Sequence, residues 1–193
     1  MGKIVLKVIF ITFLFIHFMC LSSEVIAVEY NFLQERLDRS NFENTQEIED
    51  IFRYNLSFLG ENVSYAKVPR GFIISINSDV FFDDNKVELS EYSKQVLVII
   101  GELLNIIDKQ CVVEGNTLLL NTDETIYNSH WEISTARADR ILKYLVREIN
   151  VPPYRIRSIG FGDKIPFYKD IIDNPQMLQR VDFVVLNYEK FRQ

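Results

Sequence analysis

CVVEGNTLLLNTDETIYNSHWEISTARADRILKYL, residues 111–145, passes from a short β-branched run through a polar stretch into an amphipathic helix. Cys111 to Val113 predict a strand, and Gly115, Asn116 and Thr117 open a loop behind it. Ser129 and Glu132 have the spacing of a capping box, in which the serine hydroxyl accepts a helix N–H and the glutamate accepts one from the cap. Ala138, Ile141, Leu142, Leu145 and Ile149 then recur at helical spacing, and Arg137 falls in the second turn. Val151-Pro152-Pro153 closes the helix, because proline lacks an amide proton and disfavours a helical predecessor.

Working upstream, a helical stripe of Val96, Ile99, Ile100, Leu103, Leu104 and Ile107 starts after Ser90 and is wide enough to lie against a sheet. Before it, 63–66 and 71–76 predict two strands joined by Pro69-Arg70-Gly71. Phe81-Phe82 then roots a polar turn, Asp83-Asp84-Asn85-Lys86, which reads as solvated rather than as an acid–base pair. Residues 29–59 predict two short helices broken around 40–44, with Gly60 as a stop. Downstream, 154–159 predict a strand with Ile156 inward and Arg155 and Arg157 outward, ended by Gly160-Phe161-Gly162. Asn174-Pro175 marks a short helix start, and 181–186 a last strand. Strands alternating with helices in this order predict an α/β two-layer sandwich.

With 193 residues and 48% hydrophobic content, the chain holds one sizeable core plus an appendage. Its net charge of −6 excludes the clustered basic face that nucleic-acid binding requires. The apolar run 4–21, with Lys3 and Lys7 at its start, reads as a signal peptide ending after Ala27 or as an uncleaved signal anchor. The expected organisation is thus 1–27 leader, 28–62 helical spacer and 63–193 folded domain. Cys20 and Cys111 predict no disulfide, and Cys111 reads as a buried small hydrophobe. No nucleophile with a base, metal-ligand cluster or phosphate loop is visible, so neither enzyme activity nor a metal or cofactor is expected.

Several short motifs, taken together, resemble the OmpA-like domain family. Phe82-Asp83 with Lys86 and Leu89 is similar to its F-D-x-x-K-x-x-L segment, and 113–117 to its V-x-G-H-T-D strand end. Ser129 to Ser134 followed by Arg137-Ala138 resembles N-x-x-L-S-x-x-R-A, in the form common in the MotB-type branch. Gly160-Phe161-Gly162 with Pro166 resembles G-x-G and its downstream proline, and Gln179-Arg180-Val181 resembles N-R-R-V. The resemblance implies helices on one face of a mixed sheet, ordered β-α-β-α-β-(short α)-β. It also implies a non-enzymatic periplasmic or cell-envelope protein that binds peptidoglycan through the diaminopimelate end of the stem peptide. Arg137 would grip the ligand carboxylate and be removable at little cost in stability, and Asp83 would take the ammonium. Asn116, Thr117, His130 and Arg180 complete the implied ligand set. An envelope or membrane protein partner and a homodimer are further expectations.

The family aspartate after the strand-end threonine is Leu118 here, which carries no charge. Two readings stay open: Asp83, Asp123 or Glu124 supplies the missing charge, or the fold survives as a structural or protein-interaction module without the ligand. Leu118-Leu119-Leu120 fits a partner surface or an extension of the strand into the core. A MotB-like role would be without ion conduction, since 4–21 contain no acidic residue.

Overall fold

A computed structural model describes residues 45–83, 86–107, 109–117, 126–164 and 179–187. Within the compact unit Asn44–Gln193, the five strands are β1 (Val63–Val68), β2 (Gly71–Asn77), β3 (Cys111–Asn116), β4 (Ile156–Gly162) and β5 (Arg180–Leu186). They form one mixed sheet in the order β1-β2-β5-β3-β4. β3 and β4 are parallel, as a strand–helix–strand crossover requires, and the other pairs are antiparallel. The accompanying helices are α1 (Thr45–Asn55), α2 (Glu91–Ile107) and α3 (His130–Arg147). This is the predicted α/β sandwich.

Register explains the core. Ile76 and Val181, Ile74 and Phe183, and Phe72 and Val185 are cross-strand partners on one face, continued by Val113 and Cys111 of β3. All are buried, as are Leu97, Ile100 and Leu104 of α2 and Ile133, Ala138, Ile141 and Leu145 of α3. Each such large apolar side chain contributes roughly 1.5–3 kcal/mol relative to exposure. The Phe52 ring of α1 lies 6.4 Å from that of Phe72, so α1 belongs to the same core although the sequence places it in a spacer.

Both long helices start where the sequence predicts. Ser90 Oγ accepts the Ser93 N–H at 3.1 Å, and Ser129 Oγ accepts that of Glu132 at 3.1 Å. The return bond differs from the predicted box: Glu132 accepts the N–H of Asn128 at 2.7 Å, one residue before the cap. After α3, Asn150 takes a left-handed φ of 60°, which its short polar side chain tolerates, and the Val151 N–H closes on Leu145 O at 3.0 Å.

Three local expectations are corrected. Gly115 and Asn116 are the last residues of β3 rather than loop, because β4 and β5 pair with both. Gly160-Phe161-Gly162 is strand rather than terminator. Arg155 is buried, not outward: it precedes β4 and donates to Lys109 O and Leu104 O, satisfying carbonyls at the end of α2. The leader, the helix predicted before 44, Asp84, Leu118 to Leu120, Asp123, Glu124, Pro166 and the short helix at Asn174 lie outside the described residues.

Candidate functional site

The end of β2 turns through a short 3-10 segment, Ser78–Val80, that is fixed from several sides. Asn77 Oδ1 accepts the Asp79 N–H at 3.0 Å, and the Ser78 N–H donates to Gln179 O at 2.9 Å. Phe81 and Phe82 both donate their N–H to Ser78 O at 2.9 Å, and both rings are buried. Phe81 meets Phe183 edge-on at 6.0 Å, which roots the segment in the core. Beyond this root the side chains of Asp83 and Lys86 face solvent, 74% and 60% exposed, and pair at 3.1 Å.

Arg137 reaches this segment from α3. It is only 4% exposed. Its Nε donates to Lys86 O at 2.9 Å, its Nη1 to Ser78 Oγ at 3.1 Å and its Nη2 to Asp83 O at 3.1 Å. The guanidinium also sits 5.1 Å from the centroid of the Phe82 ring. Arginine suits this position because its planar fork carries several donors in fixed directions and stacks on aromatic faces. The structure therefore brings Arg137 and Asp83 together, but through the Asp83 carbonyl. The Asp83 carboxylate points outward, and with Asp79, Phe82 and Lys86 it lines an open hollow of about 470 Å³.

The other predicted residues divide into separate places. His130, at the first position of α3, has its Nδ1 3.8 Å from an Asp163 carboxylate oxygen. Thr117 is buried, and its N–H donates to Gly162 O at 2.8 Å. Asn116 and Arg180 share a register position on the sheet face away from Val113 and Phe183. There Arg180 Nε donates to both Asp182 oxygens at 3.0 Å, and Asn116 Nδ2 donates to Asp182 Oδ2 at 3.1 Å. Among the described residues, Asn116 Oδ1 and Thr117 Oγ1 are buried without a hydrogen-bond partner.

Sequence reasoning missed this buried ionic row. Glu114 is the cross-strand partner of Asp182 and is gripped by both terminal nitrogens of Arg70, at 2.6 and 2.9 Å. Burial holds the Glu114 carboxyl above its ordinary range, with Arg70 pulling it down, and burial does the same to Asp182 against Arg180. A charge at Glu114 between apolar strand residues was the one available signal. Its partner Arg70 sits in a turn far away in sequence and could not be inferred. Asp79 and Lys86 were likewise unmarked as site residues. Cys111 is buried as expected, and burial pushes its thiol up to about 12, so it is unreactive at neutral pH.

The OmpA family matches residues 81–176. The uncharacterized protein YtxE of Bacillus subtilis (strain 168) is 30% identical over 118 residues, 60% of this chain and 48% of that protein. The chain thus spans about half the length of this curated relative. Among solved structures, a MotB-like protein from Desulfovibrio vulgaris superposes with a TM-score of 0.66 at 20% identity, over 83% of this chain and 99% of the other. The cell wall anchor of the T6SS from Pseudomonas aeruginosa gives 0.58 at 18% identity, over 70% and 96%. The periplasmic domain of Helicobacter pylori MotB gives 0.57 at 20% identity, over 64% and 81%. At these identities the likeness establishes the fold. Among the described residues no helix is long and apolar enough to cross a membrane.

Proposed function

Since residues 81–176 are an OmpA-family domain, we propose that this protein is an exported, non-enzymatic envelope protein that binds peptidoglycan and tethers an envelope component to the cell wall. The observation that carries the reading is the hollow beside α3. A buried arginine donates to the carbonyls of Asp83 and Lys86 beside it, while carboxylate and ammonium side chains stand outward around it. Such a surface suits the diaminopimelate end of a stem peptide, where a carboxylate and an ammonium sit on one carbon. The solved cell wall anchor and MotB domains with this fold support the same reading. In this proposal the run 4–21 delivers the domain to the periplasm as leader or anchor. Among the described residues none of Asn116, Thr117, His130 and Arg180 lines the hollow: Asn116 and Arg180 belong to the buried network around Asp182, and His130 lies beside Asp163.

The test is co-sedimentation of the full-length chain with purified sacculi. The protein is expected in the pellet at low salt and progressively less at high salt, because exposed charge contacts are screened. A chain that stays in the supernatant at all salt concentrations ends the reading. A second reading, an OmpA-like interaction module without the ligand, has one observation in its favour: Ile126 and Trp131 are 87% and 61% exposed near the start of α3. Under it, Leu118→Asp creates sacculus binding that the unsubstituted protein lacks.

A further inference from the structure

β5 is the last strand along the chain, yet it lies inside the sheet, between β2 and β3. No short turn joins it to either neighbour, so turn geometry cannot set its register as Pro69-Arg70 sets that of β1 against β2. The apolar pattern does not set it fully either. Val181, Phe183 and Val185 face Ile76, Ile74 and Phe72. Sliding β5 by two residues keeps the same side chains on the same face, because the strand repeats every two residues. In one direction Val181 and Phe183 then meet Ile74 and Phe72, and in the other Phe183 and Val185 meet Ile76 and Ile74. The helix-side face therefore tolerates either slip.

The opposite face fits one register alone. There Arg180 stands between Asn77 and Asn116, Asp182 between Ser75 and Glu114, and Val184 between Ile73 and Val112. Arg180, Asp182 and Glu114 are each no more than 1% exposed. One slip carries Asp182 between the apolar Ile73 and Val112 and away from the Asn116 amide. The other leaves Val184 between Ser75 and Glu114 and moves Arg180 past the end of β2. Both strand buried polar groups, which is costly in a place water does not reach. We infer that the row Arg180, Asp182 and Glu114, with Arg70 on Glu114, is a register lock, fixing β5 in one position rather than adding to the stability of the fold. Buried ion pairs roughly break even against apolar residues of similar volume, whereas specifying register is their best-attested use. The lock serves the candidate site, whatever that site binds. Gln179, directly before Arg180, accepts the Ser78 N–H at 2.9 Å, and Phe183 meets the Phe81 ring, so the register of β5 sets the root of the 78–86 segment. Arg180 and Asp182 are thus positioning residues for the hollow.

Nuclear magnetic resonance of the full-length chain tests this, comparing the parent with a variant carrying Arg70→Met, Glu114→Leu, Arg180→Met and Asp182→Leu together. The Leu186 N–H donates toward β3, to Gln110 O, so by alternation Ile73 and Val184 form a non-hydrogen-bonded pair between β2 and β5. Their Hα protons lie close in the native register and report it directly. The variant is expected to keep a urea midpoint at or above that of the parent, but to show a second set of β5 amide signals, with Ile73 now opposite position 182 or 186. Exchange of the Ser78 amide should rise roughly tenfold or more, while that of Ile100 in α2 stays within about twofold. A single register with Ser78 protected as in the parent overturns the inference. So does a variant that unfolds, or whose midpoint falls well below the parent's, since the row would then be serving stability.

Discussion

Replacing Arg137 with alanine removes the hydrogen bonds that its charged guanidinium donates to Ser78 Oγ and to the carbonyls of Lys86 and Asp83, of which the Asp83 carbonyl keeps the Lys86 N–H at 3.2 Å. A group that serves only an external ligand would be dispensable to the fold, as the family resemblance implied for this one. Burial and bonding give the opposite expectation: Arg137→Ala should destabilise the domain by about 3 kcal/mol, read from urea unfolding followed by tryptophan fluorescence. A loss below about 0.5 kcal/mol would mean that the loop holds itself without the arginine. Arg155 has a parallel role at the end of α2, where its guanidinium donates to Leu104 O of the helix and to Lys109 O just beyond it. In both cases the residue type was visible in the sequence, but the direction of the side chain was not. A basic residue beside a strand or in a helical turn reads as outward until the carbonyls that need it are placed.

At the level of elements, the decisive contact is α3 against β3 and β4. A Cβ at Gly115 would lie 2.2 Å from Ser134 O, and one at Gly160 would lie 2.2 Å from Thr135 Oγ1 and 2.4 Å from the Thr135 nitrogen. The helix backbone therefore rests directly on the two strands, and Ser134 Oγ accepts the Gly162 N–H at 2.9 Å to hold it there. This seating puts Arg137, one turn further along, within reach of the 78–86 segment. Gly115→Ala should force α3 away from the sheet and cost about 2 kcal/mol or more in thermal or chemical unfolding, since the obstacle is backbone and cannot rotate aside. Full stability in that variant would contradict the close seating. The element boundaries were largely legible: hydroxyl caps, proline stops and 3.6-residue periodicity are local signals. The glycines read only as strand ends, because the demand for a missing Cβ comes from a helix that reaches them through the tertiary fold.

For the molecule as a whole, the sheet joins an apolar face under the helices to a face that carries Ser75, Asp182 and Glu114 in register across three strands, with Arg180 and Arg70 beside them. Both carboxyls are held above their ordinary range by burial. Between the unfolded-chain value and the raised folded value, the native state keeps protons that the unfolded chain has released. This contribution to stability is complete below the unfolded value and is lost as pH rises through the folded one. Glu114→Gln should flatten that part of the profile of unfolding free energy against pH, measured by urea titration at a series of pH values. An unchanged slope would assign it to other groups. Periodicity, caps and turn residues determined by themselves that the chain is an α/β sandwich, and the spacing of short motifs pointed to its family, because these depend on interactions between residues close in the chain. Tertiary structure alone decided that Arg137 faces the 78–86 loop, that Arg180 and Asn116 join a buried network instead of the hollow, and that Asp79 and Lys86 share one surface with Asp83. Each of those outcomes depends on strand order and register, which bring together groups whose separation in sequence carries no trace of their contact.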